Sequence, residues 1–251
     1  MTGSPVARQR RHTLHFLREI RGFSPVFLDT QVRMDAVRHH RATARARGQR
    51  YSIVTYVLHS TALVLSKHPE ANAAITGRWR PRVQHHAGVH AKVAFDKTLD
   101  GRRVVLAAVL PDLNTASLDD IQRLLNHYRD GDPDHMPEFD GVRALQRLPV
   151  PLGSLAFRGT VRPLHRRAER LGTVAVTSLG HSSVDSFHSV GGTTVTLGLG
   201  RVLEQPVAVD GRVEVAPVMR LSLAFDHRVI DGAEAADVLT EIKETLEGIA
   251  V

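Results

Sequence analysis

The order of apolar and polar positions along the first half of the chain predicts helices interspersed with strands. The predicted elements are, in order, a helix over His12–Arg21, a strand over Val26–Val32, a helix over Asp35–Arg47, a helix from Ser52 to near Pro69, strands over Val89–Phe95 and Arg103–Leu110, and a helix from Ser117 to about His127. The strands follow from partial alternation with a period of two residues. Two helix starts follow from capping residues, Ser52 and the box-like segment Ser117-Leu118-Asp119-Asp120.

The second half is predicted to be richer in strands and to end in a helix. Its acidic segment Asp130–Gly141 contains proline and glycine and is predicted as a loop. The elements predicted beyond it are strands over Thr173–Thr177, Thr194–Arg201 and Met219–Phe225, and a helix over Gly232–Ile249 with Ala236, Leu239, Ile242 and Leu246 on one apolar stripe. Because helices and strands mix without a regular βαβ repeat, we expect an α+β sandwich with a mixed sheet. We expect a basic flexible tail over residues 1–12 and a single domain over residues 13–251.

The composition narrows the class of protein. The 251 residues are 42% hydrophobic and 24% charged, which is close to the average of globular domains and excludes a disordered chain. The longest apolar run, Val104–Leu110, is far shorter than the ~20 residues that span a bilayer. The absence of cysteine excludes disulfides, zinc–thiolate and iron–sulfur sites and a thiol nucleophile. With no secretory signal after the basic N-terminus, the sequence predicts a cytoplasmic protein without a membrane partner.

The chain is basic, and most of the excess is arginine. It has 33 basic and 26 acidic residues, for a net charge of +7. Such a surface attracts nucleic acid, acidic lipid or a phosphorylated cofactor. The arginines are spread along the chain apart from the run Arg8–Arg11, and no RNA-binding aromatic motif or zinc finger accompanies them, so we expect no nucleic-acid partner. The adjacent histidine pairs, His39–His40 and His85–His86, lack the ligand spacing of a metal site, so we expect no metal.

A candidate catalytic segment lies near the C-terminus, where an apolar strand ends in Asp226-His227-Arg228. Asp231 follows His227 by four residues, and Gly232 allows a sharp turn into the last helix. A carboxylate at this spacing fixes one tautomer of the imidazole and leaves the other nitrogen facing a substrate. The segment indicates general base catalysis, against the alternative of a solvated structural histidine at a strand end.

The same segment, Phe-Asp-His-Arg-Val-Ile-Asp-Gly at residues 225–232, resembles the HxxxDG signature of dihydrolipoamide acyltransferases of 2-oxoacid dehydrogenase complexes, which chloramphenicol acetyltransferase shares. The strand Gly-Thr-Val-Ala-Val-Thr-Ser-Leu-Gly at residues 172–180 is similar to the family's GTFTISNLG strand. Further similarities lie at Leu197–Val202, at Pro206–Pro217, at Pro69, Glu70 and Asn72, and at Arg10, Pro25 and Phe27. The resemblance covers nearly the whole chain and implies the chloramphenicol acetyltransferase fold.

The resemblance also implies roles for particular residues. His227 matches the catalytic base that deprotonates the acceptor, so that the acceptor attacks a thioester carbonyl. Thr177 stands where the family usually has a serine whose hydroxyl binds the tetrahedral oxyanion. Threonine keeps the hydroxyl but adds a methyl group, and Ser178 is the nearby alternative donor.

Asp231 matches a family residue that supports the site through a salt bridge with an arginine, and Arg10 or Arg11 is the expected partner by position. The family's trimer places the histidine of one subunit across the interface from the hydroxyl-bearing strand of the next. We therefore expect a homotrimer with its active sites between subunits. The C-terminal segment Leu246–Val251 offers little apolar bulk, so we expect no larger shell of trimers.

The resemblance implies acyl transfer, and the chain departs from the pattern of a dehydrogenase core. Val26 replaces the family's histidine after the opening proline, and the segment from Leu125 to Gly172 is longer than in a typical core. These departures favour a free-standing enzyme that moves an acetyl group from coenzyme A to a hydroxyl of a small molecule. A natural-product intermediate such as a hydroxymethyl tetronate, in antibiotic biosynthesis, is the expected kind of acceptor. Two alternatives stay open: a core subunit that takes acyl groups from a separate lipoyl domain, and a non-catalytic scaffold with the same fold.

Overall fold

In the computed structural model, which describes residues 5–77 and 79–249, eight strands and eight α-helices follow one another. The strands are β1 (Pro25–Arg33), β2 (Ala73–Thr76), β3 (Arg82–His85), β4 (Ala91–Leu99), β5 (Arg102–Leu110), β6 (Val174–Ser178), β7 (Val195–Val209) and β8 (Arg212–Asp226). The helices are α1 (Arg11–Glu19), α2 (Asp35–Ala46), α3 (Ile53–Leu65), α4 (Leu118–Asp130), α5 (Asp140–Arg147), α6 (Val150–Val161), α7 (Leu164–Leu171) and α8 (Gly232–Glu247). The first four residues of the predicted tail and the last two of the C-terminal segment lie outside the described residues.

Six of the strands form one mixed sheet in the order β1-β8-β7-β6-β4-β5. Strand β6 runs parallel to both β4 and β7, and the other neighbours are antiparallel. Strands β2 and β3 pair with each other in a small separate sheet. Strand β6 pairs with β4 only up to Val93 and Val176, whereas β4 continues to Leu99, so the sheet opens beside β4 where β6 ends. This opening provides room for a cleft.

The two faces of the large sheet differ in chemistry. One face carries valine, leucine and phenylalanine side chains, which pack with α2, α3, α4 and α8 in the main core. The opposite face carries small or polar residues on β4, β6, β7 and β8: Lys92, Ala175, Thr177, Thr196, Gly198, Ser222 and Asp226. This second face is covered by α1 and by the loop that links β6 to β7. The sheet is therefore packed on both sides, as the predicted α+β sandwich requires, and the predicted fold class is confirmed.

The helix starts predicted from capping residues are confirmed in atomic detail. The Ser52 hydroxyl accepts a hydrogen bond from the Thr55 amide at 3.2 Å. The Ser117 hydroxyl accepts from the Asp120 amide, and the Asp120 carboxylate accepts from the Ser117 amide, each at 3.2 Å. At both helix starts the cap hydroxyl accepts from an amide three residues later, and because this contact is local, a sequence pattern could predict it.

Other predictions missed elements that long-range contacts hold in place. Helices α5, α6 and α7 occupy a region in which the sequence predicted only the loop Asp130–Gly141, and the first of them begins inside that loop. Arg11 of α1 donates to the carbonyls of Gln146 and Leu148, at 3.1 and 3.0 Å, and so fixes the junction of α5 and α6. The sequence also missed β2 and β3, and the hairpin of β7 and β8 is much longer than predicted.

One boundary and one core residue need correction. The predicted tail ends too late, because Arg8–Arg10 forms a 3-10 turn and α1 begins at Arg11. On α8, Ala236 lies exposed, whereas its neighbour Ala235 is buried with the rest of the predicted stripe. Within the described part of the chain, no helix combines the length and the hydropathy that a membrane span needs.

Candidate active site

An open cleft of about 750 Å³ lies where β6 ends beside β4. Its walls come from β4, β5, α1, α3, α4 and the segment that follows β6. The last two residues of β6, Thr177 and Ser178, line this cleft, and so do Leu179, His181 and Ser182 beyond the strand. The cleft therefore contains both predicted oxyanion donors in its lining.

Thr177 and Ser178 point to opposite faces of the sheet, because side chains alternate along a strand. Thr177 pairs with Gly198 of β7 and lies on the small, polar face that α1 covers. Ser178 lies on the core face, and its hydroxyl accepts a hydrogen bond of 3.4 Å from the Gly180 amide. No hydrogen bond of the Thr177 hydroxyl is found among the described residues, so this hydroxyl is open to a ligand in the cleft.

Two glycines of β7 allow the loop after β6 to lie directly on the sheet. A Cβ at Gly198 would come within 2.5 Å of the carbonyl oxygen of Phe187, and one at Gly200 within 1.9 Å of that of Asp185. Any side chain at these positions would push the loop away from the sheet. Since the same loop supplies His181 to the wall of the cleft, these glycines shape the cleft.

His227 follows β8 in a tight turn that buried polar contacts hold. Its amide donates to the Ser24 carbonyl at 3.0 Å, and the Val229 amide donates to the Asp226 carbonyl at 2.9 Å. The Asp226 carboxylate is only 2% exposed and accepts from the Arg228 side chain at 2.8 Å and from the Ser24 amide at 3.4 Å. The imidazole of His227 is left half-exposed at the surface.

Asp231 lies beside His227 and away from both predicted arginines. Its carboxylate oxygen is 3.4 Å from Nδ1 of His227, and its side chain is 88% exposed. Arg11 is bound to main-chain carbonyls, and Arg10 lines the cleft, so the predicted salt bridge of Asp231 with Arg10 or Arg11 is not formed within the chain. The buried salt bridge at this turn joins Asp226 to an arginine two residues later. The signal for it was present in the sequence, as a carboxylate directly before the histidine.

Within one chain, His227 lies far from Thr177. Thr177 pairs with Gly198, and Gly198 pairs with Ser222, so Thr177 and Ser222 lie on the same row across three strands. His227 lies five residues beyond Ser222. With a rise of about 3.3 Å per residue and about 4.8 Å between strands, the two functional residues are roughly 19 Å apart. They cannot act on one substrate carbonyl within a single chain.

Four basic side chains line the cleft: Arg10, Lys97, Arg103 and Arg129. Arg103 forms an ion pair with Asp96, and this hydrogen bond lowers the pKa of the Asp96 carboxyl below its usual range. Lys97 donates to the carbonyls of Arg129 and Gly131, at the end of α4. In the described residues, no three His, Asp or Glu side chains converge as a metal site would require.

Sequence reasoning missed two partly buried ionisable groups close to these elements, Lys92 and His68. The ammonium of Lys92 donates to the Gly191 carbonyl and lies 4.5 Å from the centre of the Phe16 ring. Burial, together with the nearby Arg167, lowers the pKa of Lys92 to about 7. A lysine between apolar residues of a predicted strand was the signal available in the sequence.

The second group, His68, bridges two carboxylates of α8. Its Nδ1 lies 2.8 Å from Glu234 and its Nε2 lies 2.9 Å from Glu241. Burial lowers the pKa of His68, but the hydrogen bonds to the two carboxylates outweigh burial and leave the pKa raised. Because α8 begins directly after the turn of His227, this bridge ties the end of α3 to the helix that supports the turn.

Known acyltransferases are similar to this chain in sequence. Residues 154–251 match the family model described as the catalytic domain of 2-oxoacid dehydrogenase acyltransferases. The dihydrolipoyllysine-residue succinyltransferase component of the 2-oxoglutarate dehydrogenase complex of Escherichia coli (strain K12) is 26% identical over 213 residues, which is 82% of this chain and 43% of that protein. The acetyltransferase component of the pyruvate dehydrogenase complex of Bacillus subtilis (strain 168) is 26% identical over 208 residues, 81% of this chain and 39% of that protein. The chain thus spans about two fifths of the length of these relatives.

Solved structures show the same fold. The dihydrolipoamide acetyltransferase of Azotobacter vinelandii superposes with a TM-score of 0.74 at 21% identity, over 99% of this chain and 92% of that chain. A probable dihydrolipoamide acetyltransferase from Listeria monocytogenes 4b F2365 superposes with a TM-score of 0.72 at 19% identity, over 100% of this chain and 96% of that chain. A chloramphenicol acetyltransferase superposes with a TM-score of 0.54 at 14% identity, over 95% of this chain and 94% of that chain. The resemblance predicted from the sequence, and the fold that it implies, are confirmed.

Proposed function

We propose that this chain, whose residues 154–251 match the catalytic domain of 2-oxoacid dehydrogenase acyltransferases, is an acyltransferase that works as a homotrimer with its active sites between subunits. The observation that carries the proposal is the division of the site. A histidine paired with a carboxylate, His227 with Asp231, lies roughly 19 Å from the open hydroxyl of Thr177 on the same sheet. A ring of copies lets the histidine of one subunit face the cleft of the next, as a heterologous interface does in a closed trimer.

The chemistry follows from the two ends of the imidazole. The Asp231 carboxylate favours the proton on Nδ1 of His227, which leaves Nε2 free as a base. Nε2 takes the proton from an acceptor S–H or O–H, and the acceptor atom attacks the carbonyl carbon of a thioester. The oxyanion that forms accepts a hydrogen bond from the Thr177 hydroxyl of the neighbouring subunit. When the intermediate collapses, the C–S bond breaks and the leaving thiolate takes the proton back from the imidazolium.

Thr177, more than Ser178, fits the role of oxyanion donor. The Thr177 hydroxyl has no partner in the described residues and lies on the face that α1 covers, whereas Ser178 lies on the core face and holds the Gly180 amide. Loss of an oxyanion donor typically costs ~100- to 1000-fold in turnover. Thr177→Val, which keeps the shape and removes the hydroxyl, is expected to show a loss of this size, and Ser178→Ala a loss of less than about tenfold.

The names of the two relatives favour a thiol as the group that exchanges the acyl group with coenzyme A. Both relatives compared above are named for transfer to a dihydrolipoyllysine residue, so we propose that one substrate is a dihydrolipoyl group carried by a separate domain and the other is coenzyme A. The hydroxyl acceptor predicted from the sequence, a natural-product intermediate, is the second candidate. It uses the same base and the same oxyanion donor, so only the acceptor separates the two. A cytoplasmic location stays a prediction.

The decisive experiment mixes two inactive variants. His227→Ala and Thr177→Val, each carrying a different affinity tag, are expected to be inactive alone. Both are expected to fold normally, because neither side chain is buried and valine keeps the shape of threonine. Co-refolded in equal amounts, they form mixed trimers in which about a quarter of the interfaces unite an intact histidine with an intact threonine. We therefore expect the mixture to recover about a quarter of the wild-type activity.

The contrary results are equally clear. If the doubly tagged mixture stays inactive, the two residues do not meet across an interface. If His227→Ala alone keeps wild-type turnover, His227 is not the base. Light scattering supplies the control for assembly, with an expected mass of about 83 kDa for three chains of 27.6 kDa. An active monomer would refute the shared site.

The acceptor is tested separately. The wild-type protein is supplied with acetyl-CoA and either dihydrolipoamide or a panel of primary alcohols, and release of free coenzyme A is followed. We expect turnover with dihydrolipoamide. Turnover confined to an alcohol would transfer the proposal to the hydroxyl acceptor, and His227→Ala provides the blank for both substrates.

A further inference from the structure

Helix α6 is apolar nearly all round, although one of its sides faces away from the rest of the described chain. Its twelve residues, Val150–Val161, include a single charged residue, Arg158. The inner side rests on α1: Gly153 is buried, and the Ser154 hydroxyl lies 3.0 Å from Nδ1 of the buried His15. A helix that is apolar on every side is normally buried on every side. The exposed side of α6 therefore points to a partner outside the described chain.

The exposed side of α6 forms a stripe without a hydrogen-bonding side chain. Leu152, Leu155, Ala156 and Gly159 occupy positions i, i+3, i+4 and i+7, so they lie along one side of the helix. All four are exposed, Leu155 by 69% and Leu152 by 56%. Because alanine and glycine are small, the two leucines are the side chains that project from this stripe. Such a stripe suits insertion into an apolar layer.

Positive charge borders the stripe. Four exposed arginines follow one another at intervals of four residues along α6, the link after it and α7: Arg158, Arg162, Arg166 and Arg170. Arg158 and Arg162 share the carboxylate of Glu19, at 3.4 and 2.8 Å. Helices α6 and α7, which pack against each other, contain one carboxylate of their own, Glu169. Four arginines against two carboxylates leave this surface positive.

We propose that the exposed side of α6, together with these arginines, binds the surface of a membrane that contains anionic phospholipids. Helices that lie on membranes place leucines in the interfacial layer and basic side chains at the lipid headgroups. A guanidinium also offers paired N–H donors that match the oxygens of a lipid phosphate. The contact is a surface association and not a spanning helix, and it revises the expectation, drawn from the sequence, of a chain without a membrane partner.

The size of the surface favours a membrane over an acidic protein. Two projecting leucines bury far less than the ~800 Å² that each partner contributes to a stable protein interface. In the proposed trimer, rotation about a single axis places the three α6 surfaces at one level along that axis. An extended surface can engage several copies together, and joint engagement strengthens a weak single contact. This inference goes beyond the proposed acyl transfer and shares only the trimer with it.

Sedimentation with lipid vesicles tests the proposal. The vesicles are phosphatidylcholine alone, or phosphatidylcholine and phosphatidylglycerol in equal parts. The proteins are the wild type, the double variant Leu152→Gln/Leu155→Gln and the double variant Arg166→Gln/Arg170→Gln. Leu63→Gln on α3 and Arg45→Gln on α2 are the matched controls, because both residues are exposed on helices that cover the opposite face of the sheet.

We expect the wild type to bind the anionic vesicles, to release them as salt is added, and to bind phosphatidylcholine alone much more weakly. Loss of the two leucines should weaken binding by about tenfold or more. Loss of the two arginines should weaken it by about fivefold for each arginine. The controls should bind like the wild type. Turnover should not change in any variant, since none of these residues lines the cleft.

Three results would overturn the proposal. The first is a wild type that does not bind anionic vesicles, or a leucine variant that binds them equally well. The second is a wild type that ignores the vesicles but binds soluble polyglutamate, which would assign the surface to an acidic protein. The third is a leucine variant of smaller mass than the wild type in light scattering, which would make α6 an interface between copies of this chain.

The test also separates this inference from the proposed function. Vesicle binding and turnover with acetyl-CoA and dihydrolipoamide are measured on the same preparations. Turnover without vesicle binding would overturn the inference alone. Vesicle binding without turnover on any acceptor would overturn the proposed function and leave the membrane surface intact.

Discussion

Replacing Lys92 by methionine is expected to remove one contribution to the stability of the chain, a contribution that we expect to rise between pH 7 and pH 9. The ammonium of Lys92 donates to the Gly191 carbonyl and faces the Phe16 ring, and no carboxylate of the described chain neutralises it. Burial and the nearby Arg167 lower its pKa to about 7. Methionine has a similar length and no charge, so it fills the same space on the small, polar face of the sheet.

The sign and the size follow from linkage. In the unfolded chain Lys92 titrates near 10.5, so between pH 7 and 10.5 the unfolded state binds a proton that the folded state has released. Stability therefore rises with pH across this window, and below about pH 7 the full cost of burying the charge is present. At 1.36 kcal/mol per pH unit, the rise from pH 7 to pH 9 is at most about 2 kcal/mol, because the side chain is not completely removed from water.

Urea unfolding at pH 7, 8 and 9 measures this rise, at one fixed protein concentration so that assembly contributes equally. The quantity of interest is the difference in unfolding free energy between Lys92→Met and the wild type at each pH. We expect this difference to shrink by about 2 kcal/mol from pH 7 to pH 9. Lys67→Met, at an exposed lysine, is the control and should show no such trend. Parallel pH curves for Lys92→Met and the wild type would refute the account of Lys92 as a buried, costly cation.

Three further predictions concern the turn of His227 and its supports. Asp226→Asn removes the charge of a carboxylate that is 2% exposed and should lower the free energy of unfolding by about 2 kcal/mol, which thermal unfolding measures. The loss is smaller than for a fully buried ion pair because the arginine partner is partly exposed. Asp231→Asn should leave stability within about 0.5 kcal/mol, since the side chain is 88% exposed, and should lower turnover; a large loss of stability would contradict the exposed position. The raised pKa of His68 means that its bridge to Glu234 and Glu241 stabilises the fold fully below pH 6.5 and is lost as pH rises through the folded-state pKa. In urea unfolding, the difference in unfolding free energy between the wild type and His68→Gln should therefore shrink as pH rises above 6.5, and a difference that stays constant with pH would exclude the bridge as a pH-dependent contribution.

Local patterns were sufficient where the interaction that forms an element is itself local. The caps at Ser52 and Ser117 join residues three apart, and the structure contains both. The segment at residues 225–232 could be identified as a strand end, a turn and a helix start because each step is specified by neighbouring residues. For the same reason the spacing of four residues predicted a contact between His227 and Asp231, and the two side chains lie 3.4 Å apart.

Only the tertiary structure decided the relations between distant parts of the chain. Helices α5 to α7 are fixed by contacts such as the one between Arg11 and Leu148, which no periodicity in the sequence announces. The fold also decided which carboxylate at the turn is buried. The end of β8 directs Asp226 inward, where it pairs with Arg228, and leaves Asp231 exposed.

The candidate site shows most clearly which features the sequence determines and which the tertiary structure decides. The sequence by itself determined the chemical groups: a histidine beside a carboxylate, a hydroxyl at a strand end, and an excess of arginine. The sheet order decided that Thr177 and His227 lie two strands apart and at opposite ends, and that Thr177 and Ser178 face different sides. Strand pairing joins residues far apart in sequence, and a shift of one residue exchanges the two faces. Such a choice depends on the packing of the whole chain, which is why Arg10 could be identified as a cleft residue only after the fold was known.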